Sequence, residues 1–242
     1  MFPSSFYWTM LEMGVYTLGF HYVINEWIFP KKCEEVKEET RILNRYSVNM
    51  MRSLMCLSFS VQGWNMIGDV WSDKCMEKEE NVVKWSGLHY PMLSYFVFDT
   101  IILGYQRYLK IEKKIRYDLL FHHLLALVAM IMIEYEKMYG MSVLISISEG
   151  MSIVSGMKLI LMERSGSQHL VKGLVWYRML YIFFIRMLYL WPSILYYYMN
   201  VTSECEKYEE GRNMWMTGGL LIVIYHADIL WLHNARREIK RI

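Results

Sequence analysis

The chain has 242 residues, 55% hydrophobic, 16% aromatic and 21% charged, with net charge +2 and mean hydropathy +0.15. The aromatic content excludes a disordered chain, and the near balance of charge argues against a nucleic-acid partner. Charge is bunched into short blocks, and between them run apolar stretches of about twenty residues, the length that crosses a hydrocarbon core of about 30 Å. Seven such stretches take up about 155 residues, leaving short connections and no room for a second domain. The expectation is an all-α, multi-pass membrane protein rather than a soluble enzyme on an anchor.

In chain order the stretches are expected near Phe6–Phe29, Tyr46–Asp69, Trp85–Tyr108, Tyr117–Ile133, Met138–Met162, Leu174–Met199 and Met214–Leu232. Each is expected to be helical, because a helix pairs its own amides where lipid offers no partner. The first is too long, and with Glu12, His21 and Asn25 too polar, for a cleaved signal peptide. The second is the least apolar, carrying Arg52, Gln62, Asn65 and Asp69. Basic residues set the orientation. Loops one, three and five and the tail hold sixteen Lys and Arg; loops two, four and six hold six. The C-terminus is therefore expected in the cytoplasm and the N-terminus outside or lumenal. The sequon Asn200-Val201-Thr202 falls on the lumenal side, as do Cys75 and Cys205, for which a disulfide is one option. No cysteine–histidine spacing suggests a metal, and no GxGxxG, P-loop, HExxH or GxSxG pattern occurs.

Within the stretches lie Glu12, Asp99, His122, His123, Glu149, Lys158, Arg186, His226 and Asp228. Each costs about 2.5–3.5 kcal/mol at a bilayer centre, so such groups usually face a bundle interior. A structural bundle can pair them off. Their number predicts instead a polar cavity, lined by Asp99, His122, His123, Glu149 and Arg186. Adjacent helical residues point about 100° apart, so His122 and His123 cannot share a face. Asp118, four residues before His122, lies on the same face and is a candidate to orient that imidazole and raise its basicity. Such a pair is a candidate general base for an amine or hydroxyl nucleophile, worth about 10²–10⁴ in rate. The dipeptide alone favours the plainer reading, two histidines hydrogen-bonding between helices. Trp85, Tyr90, Trp176, Tyr177, Trp191, Trp215 and the run Tyr196-Tyr197-Tyr198 are expected mostly in interfacial belts.

Four segments carry a resemblance: Ser94-Tyr95-Phe96-Val97-Phe98-Asp99, Asp118-Leu119-Leu120-Phe121-His122-His123-Leu124-Leu125, Ile147-Ser148-Glu149-Gly150-Met151-Ser152, and Phe183 through Arg186 to Pro192. With Asp228-Ile229-Leu230-Trp231 and the following Arg236 and Arg237, their order resembles the TLC-domain family, which includes the ceramide synthases. The resemblance covers roughly residues 40–240. It implies a first helix and cytoplasmic loop over 1–40 and a TLC domain over 41–242, six of whose helices form a barrel around a lipid cavity. It also implies the endoplasmic reticulum, membrane lipids as partners, and roles in sphingolipid synthesis, lipid sensing or membrane composition. In the synthases the His-His pair serves transfer of an acyl chain from coenzyme A to a sphingoid amine. On that pattern His122 or His123 is the base, acyl-CoA is the co-substrate, and no bound cofactor is needed.

The departures are specific. Synthases follow the pair with His-Asp and a further Asp; here that stretch reads Ser148-Glu149-Gly150-Met151-Ser152. Asn49 and Arg52 stand where many members carry a histidine. The chain looks closer to the non-synthase branch, and that resemblance implies as the first reading a protein that binds, senses or organises lipids, with Asp99, Glu149, Arg186 and Asp228 toward the lipid cavity. The alternative is an acyl-CoA-dependent N-acyltransferase. A seven-helix receptor or transporter is the third, opposed by the lack of an acidic-Arg-aromatic triplet closing the third stretch, of an Asn-Pro turn in the seventh, and of an inverted repeat.

Overall fold

The computed structural model describes residues 4–23, 45–75, 77–108, 117–154, 157–158, 161, 167–205 and 214–240. Every regular element among them is helical. The helices are α1 (Ser4–Val23), α2 (Arg45–Ser72), α3 (Glu79–Tyr108), α4 (Tyr117–Glu136), α5 (Tyr139–Ser148, prolonged by a 3-10 turn over Glu149–Ser152), α6 and α7 (Met214–Ile239). The sixth is α-helical over Gln168–Leu180, π-helical over Tyr181–Leu190 and α-helical again over Trp191–Glu204. Each of the seven expected stretches overlaps one of these helices, the fifth as far as Ser152. The end of the first, residues 24–29, residues 155–156, 159–160 and 162 of the fifth, and the domain boundary at residues 40–41 lie outside the described residues.

Two helix ends follow the macrodipole: Glu79 and Glu80 open α3, and Arg236 and Arg237 close α7. Lys137, with φ 57°, makes the sharp reversal between α4 and α5. Two stretches, Leu119–Glu136 and Gln168–Val201, are long and apolar enough to cross a membrane by length and composition alone. In α2 and α3 a polar inner stripe lowers the average. The second helix buries Arg52, Ser53 and Ser60 and exposes Leu54, Leu57 and Val61. The third buries His89, Ser94, Asp99 and Gln106 and exposes Val83, Ile101 and Tyr105.

At the centre runs α5, nine of whose ten residues are buried; it touches α2, α3, α4 and α6. A close approach is at Gly63 of α2, where an added Cβ would stand 2.9 Å from the Val143 carbonyl oxygen, 2.8 Å from Ile147 Cγ1, and against the Ser146 hydroxyl. Small residues at such crossings let two backbones meet. The first helix packs on α2 and α3, and the Ser94 hydroxyl donates to the Phe6 carbonyl at 2.8 Å. The last, α7, packs against α4 and all three parts of α6. A disulfide joins Cys75 to Cys205, tying the α2–α3 connection to the end of α6.

The π winding of α6 has a local cause. Pro192 lacks an amide hydrogen, and its ring would strike the carbonyl four residues earlier in a continuous α-helix. Instead the Trp191 amide bonds to the Arg186 carbonyl, and Pro192 falls in the first turn of the restarted α-helix, where no donor is required. Ile182, Arg186, Met187 and Leu190 are the buried residues of this segment.

The aromatic expectation is corrected in part. Trp85, Trp191, Tyr197 and Tyr198 are buried, while Trp176, Tyr177 and Tyr196 are exposed. Polar tips can go inside where they find partners: Trp191 Nε1 donates to Asp228 Oδ2 at 2.5 Å, and the Tyr197 hydroxyl to the Lys74 carbonyl at 3.2 Å.

Candidate functional site

Four helices deliver ionisable side chains to one buried region. Arg52 of α2 donates through Nε to both oxygens of Asp99 of α3, at 2.7 and 2.8 Å. His123 of α4 places Nδ1 3.1 Å from Asp99 Oδ2. Its neighbour His122 turns the other way, as the helical angle requires, and brings Nε2 to 3.7 Å from Oε1 of Glu149 at the end of α5. Cys56 of α2 donates to Glu149 Oε2 at 3.6 Å and lies 3.4 Å from the Tyr95 hydroxyl.

A second ion pair stands beside the first group. Arg186 in the π segment donates through Nε to Asp228 Oδ2 at 3.0 Å, and its Nη2 lies 3.0 Å from Oδ1. Its Nη1 donates to the Ser148 carbonyl at 3.3 Å. The guanidinium is flanked by the rings of Trp191 and Trp231, 5.1 and 5.4 Å from its carbon. Trp231 also meets His122, with ring centroids 5.0 Å apart, so the two groups share an aromatic wall. The sharing matters because each ion pair alone would be an isolated desolvation cost.

These ions do not cancel. Asp99, Glu149 and Asp228 supply three carboxylates, and Arg52 and Arg186 two guanidiniums, all at 7% exposure or less. Three carboxylates against two guanidiniums set net negative charge around the two imidazoles, beside a cavity.

That cavity, about 40 Å³, lies between α4, α5, α6 and α7, with His122, Glu149, Trp191 and Leu221 in its walls. It has room for water and is smaller than a site for a whole ligand. Trp191 and Leu221 also wall an apolar groove of about 420 Å³ between α6 and α7, with Pro192, Leu195, Ile222 and Tyr225. Of the expected site residues, His122 and Glu149 line the inner cavity, whereas Asp99, His123, Arg186 and Asp228 stand behind it in contact with each other's helices. The side chain of Asp118 lies outside the described residues. The carboxylates beside the two imidazoles come from other helices.

Sequence reasoning passed over several participants. Arg52 was legible only as a charge in a weak stretch, and nothing along the chain paired it with Asp99, 47 residues away. Cys56 gave no signal beyond helical character, and Tyr95, Trp191 and Trp231 entered only as members of the segments that carry the resemblance. Among the ionisable residues first assigned to the interior, Glu12 and His226 are exposed. Comparison with protein-family models, curated proteins and solved structures found no match.

Proposed function

We propose that the chain is a TLC-type multi-pass membrane protein that binds an acyl lipid between α6 and α7. Its N-terminus is lumenal and its C-terminus cytoplasmic, in the endoplasmic reticulum or a related membrane. The observation that carries the reading is the apolar α6–α7 groove whose walls, Trp191 and Leu221, also face His122 and Glu149. An acyl chain fits the groove, and a polar headgroup can then approach the imidazole and carboxylate.

Membrane residence has its own support in the inversion of the bundle. Arginines, carboxylates and histidines are inside, while Trp8, Leu11, Leu124, Ile131, Leu188 and Leu230 are outside. Water-soluble monomers rarely expose apolar surface on that scale. The Cys75–Cys205 bridge favours an oxidising compartment for that end of the bundle, which agrees with the lumenal side counted from basic residues. Purification of the full chain from membranes, followed by lipid mass spectrometry, tests this reading. An acyl lipid enriched over the bulk membrane is expected, and the bulk composition alone would refute it.

A second reading is favoured by one observation: each imidazole has a carboxylate beside it, Asp99 for His123 and Glu149 for His122. That pairing suits a general base in acyl transfer from acyl-CoA to a sphingoid amine. A microsomal assay with sphingoid base and a panel of acyl-CoAs decides it. Loss of about 10² or more in rate in His122→Ala or His123→Ala is expected of the base; equal N-acyl product in both variants and the parent removes the enzyme.

A further inference from the structure

We propose a second lipid site, selective for anionic phospholipids, at the basic end of the α6–α7 interface. It rests on the membrane reading above but not on the site at His122.

Toward that end a separate groove of about 400 Å³ opens between the two helices, walled by Leu180 and Phe183 of α6 and by Ile229, Leu232, His233 and Arg236 of α7. Leu180, Phe183 and Ile229 are exposed, so the wall is apolar and bare. The groove changes character along its length. Ile229 and Arg236 are seven residues apart, roughly 10 Å along the helix axis, with hydrocarbon at one end and an imidazole and a guanidinium at the other. A phospholipid has the same gradient.

The charge at the shallow end selects the headgroup. Glu238 is taken by both Lys158 and Arg178, the latter at 3.0 Å. Arg236, one helical face away, has no carboxylate partner among the described residues. Arg237 and Lys240 follow it in the chain, and neither has a carboxylate partner among the described residues. A guanidinium binds phosphate through paired N–H donors, and basic pockets on the cytoplasmic side of transmembrane helices favour anionic lipids. Trp176 and Tyr177, exposed on α6 nearby, mark headgroup depth on the proposed topology. The occupant is therefore a lipid with net negative charge, its phosphate at Arg236 and His233 and a chain against Phe183 and Ile229.

The test uses the full chain in phosphatidylcholine vesicles containing a minor share of phosphatidylserine, extracted with its bound lipid and analysed by mass spectrometry. Bound lipid is expected to be enriched in phosphatidylserine over the vesicle. The double variant His233→Gln, Arg236→Gln is expected to lose about tenfold of that enrichment, Arg236→Lys to keep part of it, and Lys84→Gln, which breaks an exposed pair with Asp69 on α2 and α3, to keep all of it. No enrichment in the parent chain, or equal enrichment in the double variant, overturns the proposal. Displacement of the lipid by soluble glycerophosphoserine assigns the contact to a free phosphate ester and overturns it too. Retained phosphatidylcholine, read in the same spectra, reports separately on the acyl-lipid reading.

Discussion

Asp99 accepts Arg52 Nε on both oxygens and stands beside His123, so replacing it with asparagine leaves a buried guanidinium without its counter-charge. Breaking a buried pair from one side costs about 3–5 kcal/mol. Asp99→Asn is expected to lower thermal stability in detergent by that amount, followed by intrinsic fluorescence. Glu149→Gln is expected to behave differently, because it removes the unbalanced third carboxylate and should leave stability near the parent value. Equal destabilisation by both would break the charge accounting. The individual acids and histidines were visible in the sequence as costly intruders in apolar stretches. Their partners were not. Spacing along one helix pointed to Asp118 for His122, and nothing along the chain pointed to Glu149 of α5, 27 residues on, because that contact is made by tertiary packing.

At the scale of elements, apolar block length located all seven helices, since a continuous apolar run between charge blocks reads the same whichever neighbour the helix later meets. Their internal irregularities stayed hidden. The 3-10 turn that carries Glu149 and the π winding that carries Arg186 are local departures, and only Pro192 announced one of them. The order of burial was equally hidden: α5 is central, yet its sequence is no more apolar to the eye than that of α4. Its contact with α2 gives a sharp test. Gly63→Ala places a methyl against the Val143 carbonyl oxygen and Ile147, and overpacking of this kind costs about 1–3 kcal/mol. Lower melting temperature with the same helical circular dichroism is the expected outcome. An unchanged melting temperature would show that α2 and α5 are not in contact as described.

For the whole molecule, the bridge between Cys75 and Cys205 encloses α3 through α6 in one covalent loop with a sequence separation of 130 residues. Cys75→Ser is expected to cost about 2–4 kcal/mol, and the parent chain from membranes should run faster on a non-reducing gel than after reduction. Identical mobility would contradict both the bridge and the lumenal placement proposed for those residues. Basic-residue counting reached that placement because loop charge is a sequence property. The two α6–α7 grooves are not, since they exist only where the helices diverge. The central claim, an acyl chain held between α6 and α7 beside His122 and Glu149, is tested most directly by crosslinking the full chain in membranes to a phospholipid with a photoreactive acyl chain and mapping the adducts by peptide mass spectrometry. Adducts concentrated on Trp191–Leu195 and Leu221–Tyr225, and lost in Leu221→Trp, are the expected result; adducts spread evenly over outward residues such as Trp8, Leu124 and Leu188, with no change in Leu221→Trp, would contradict it.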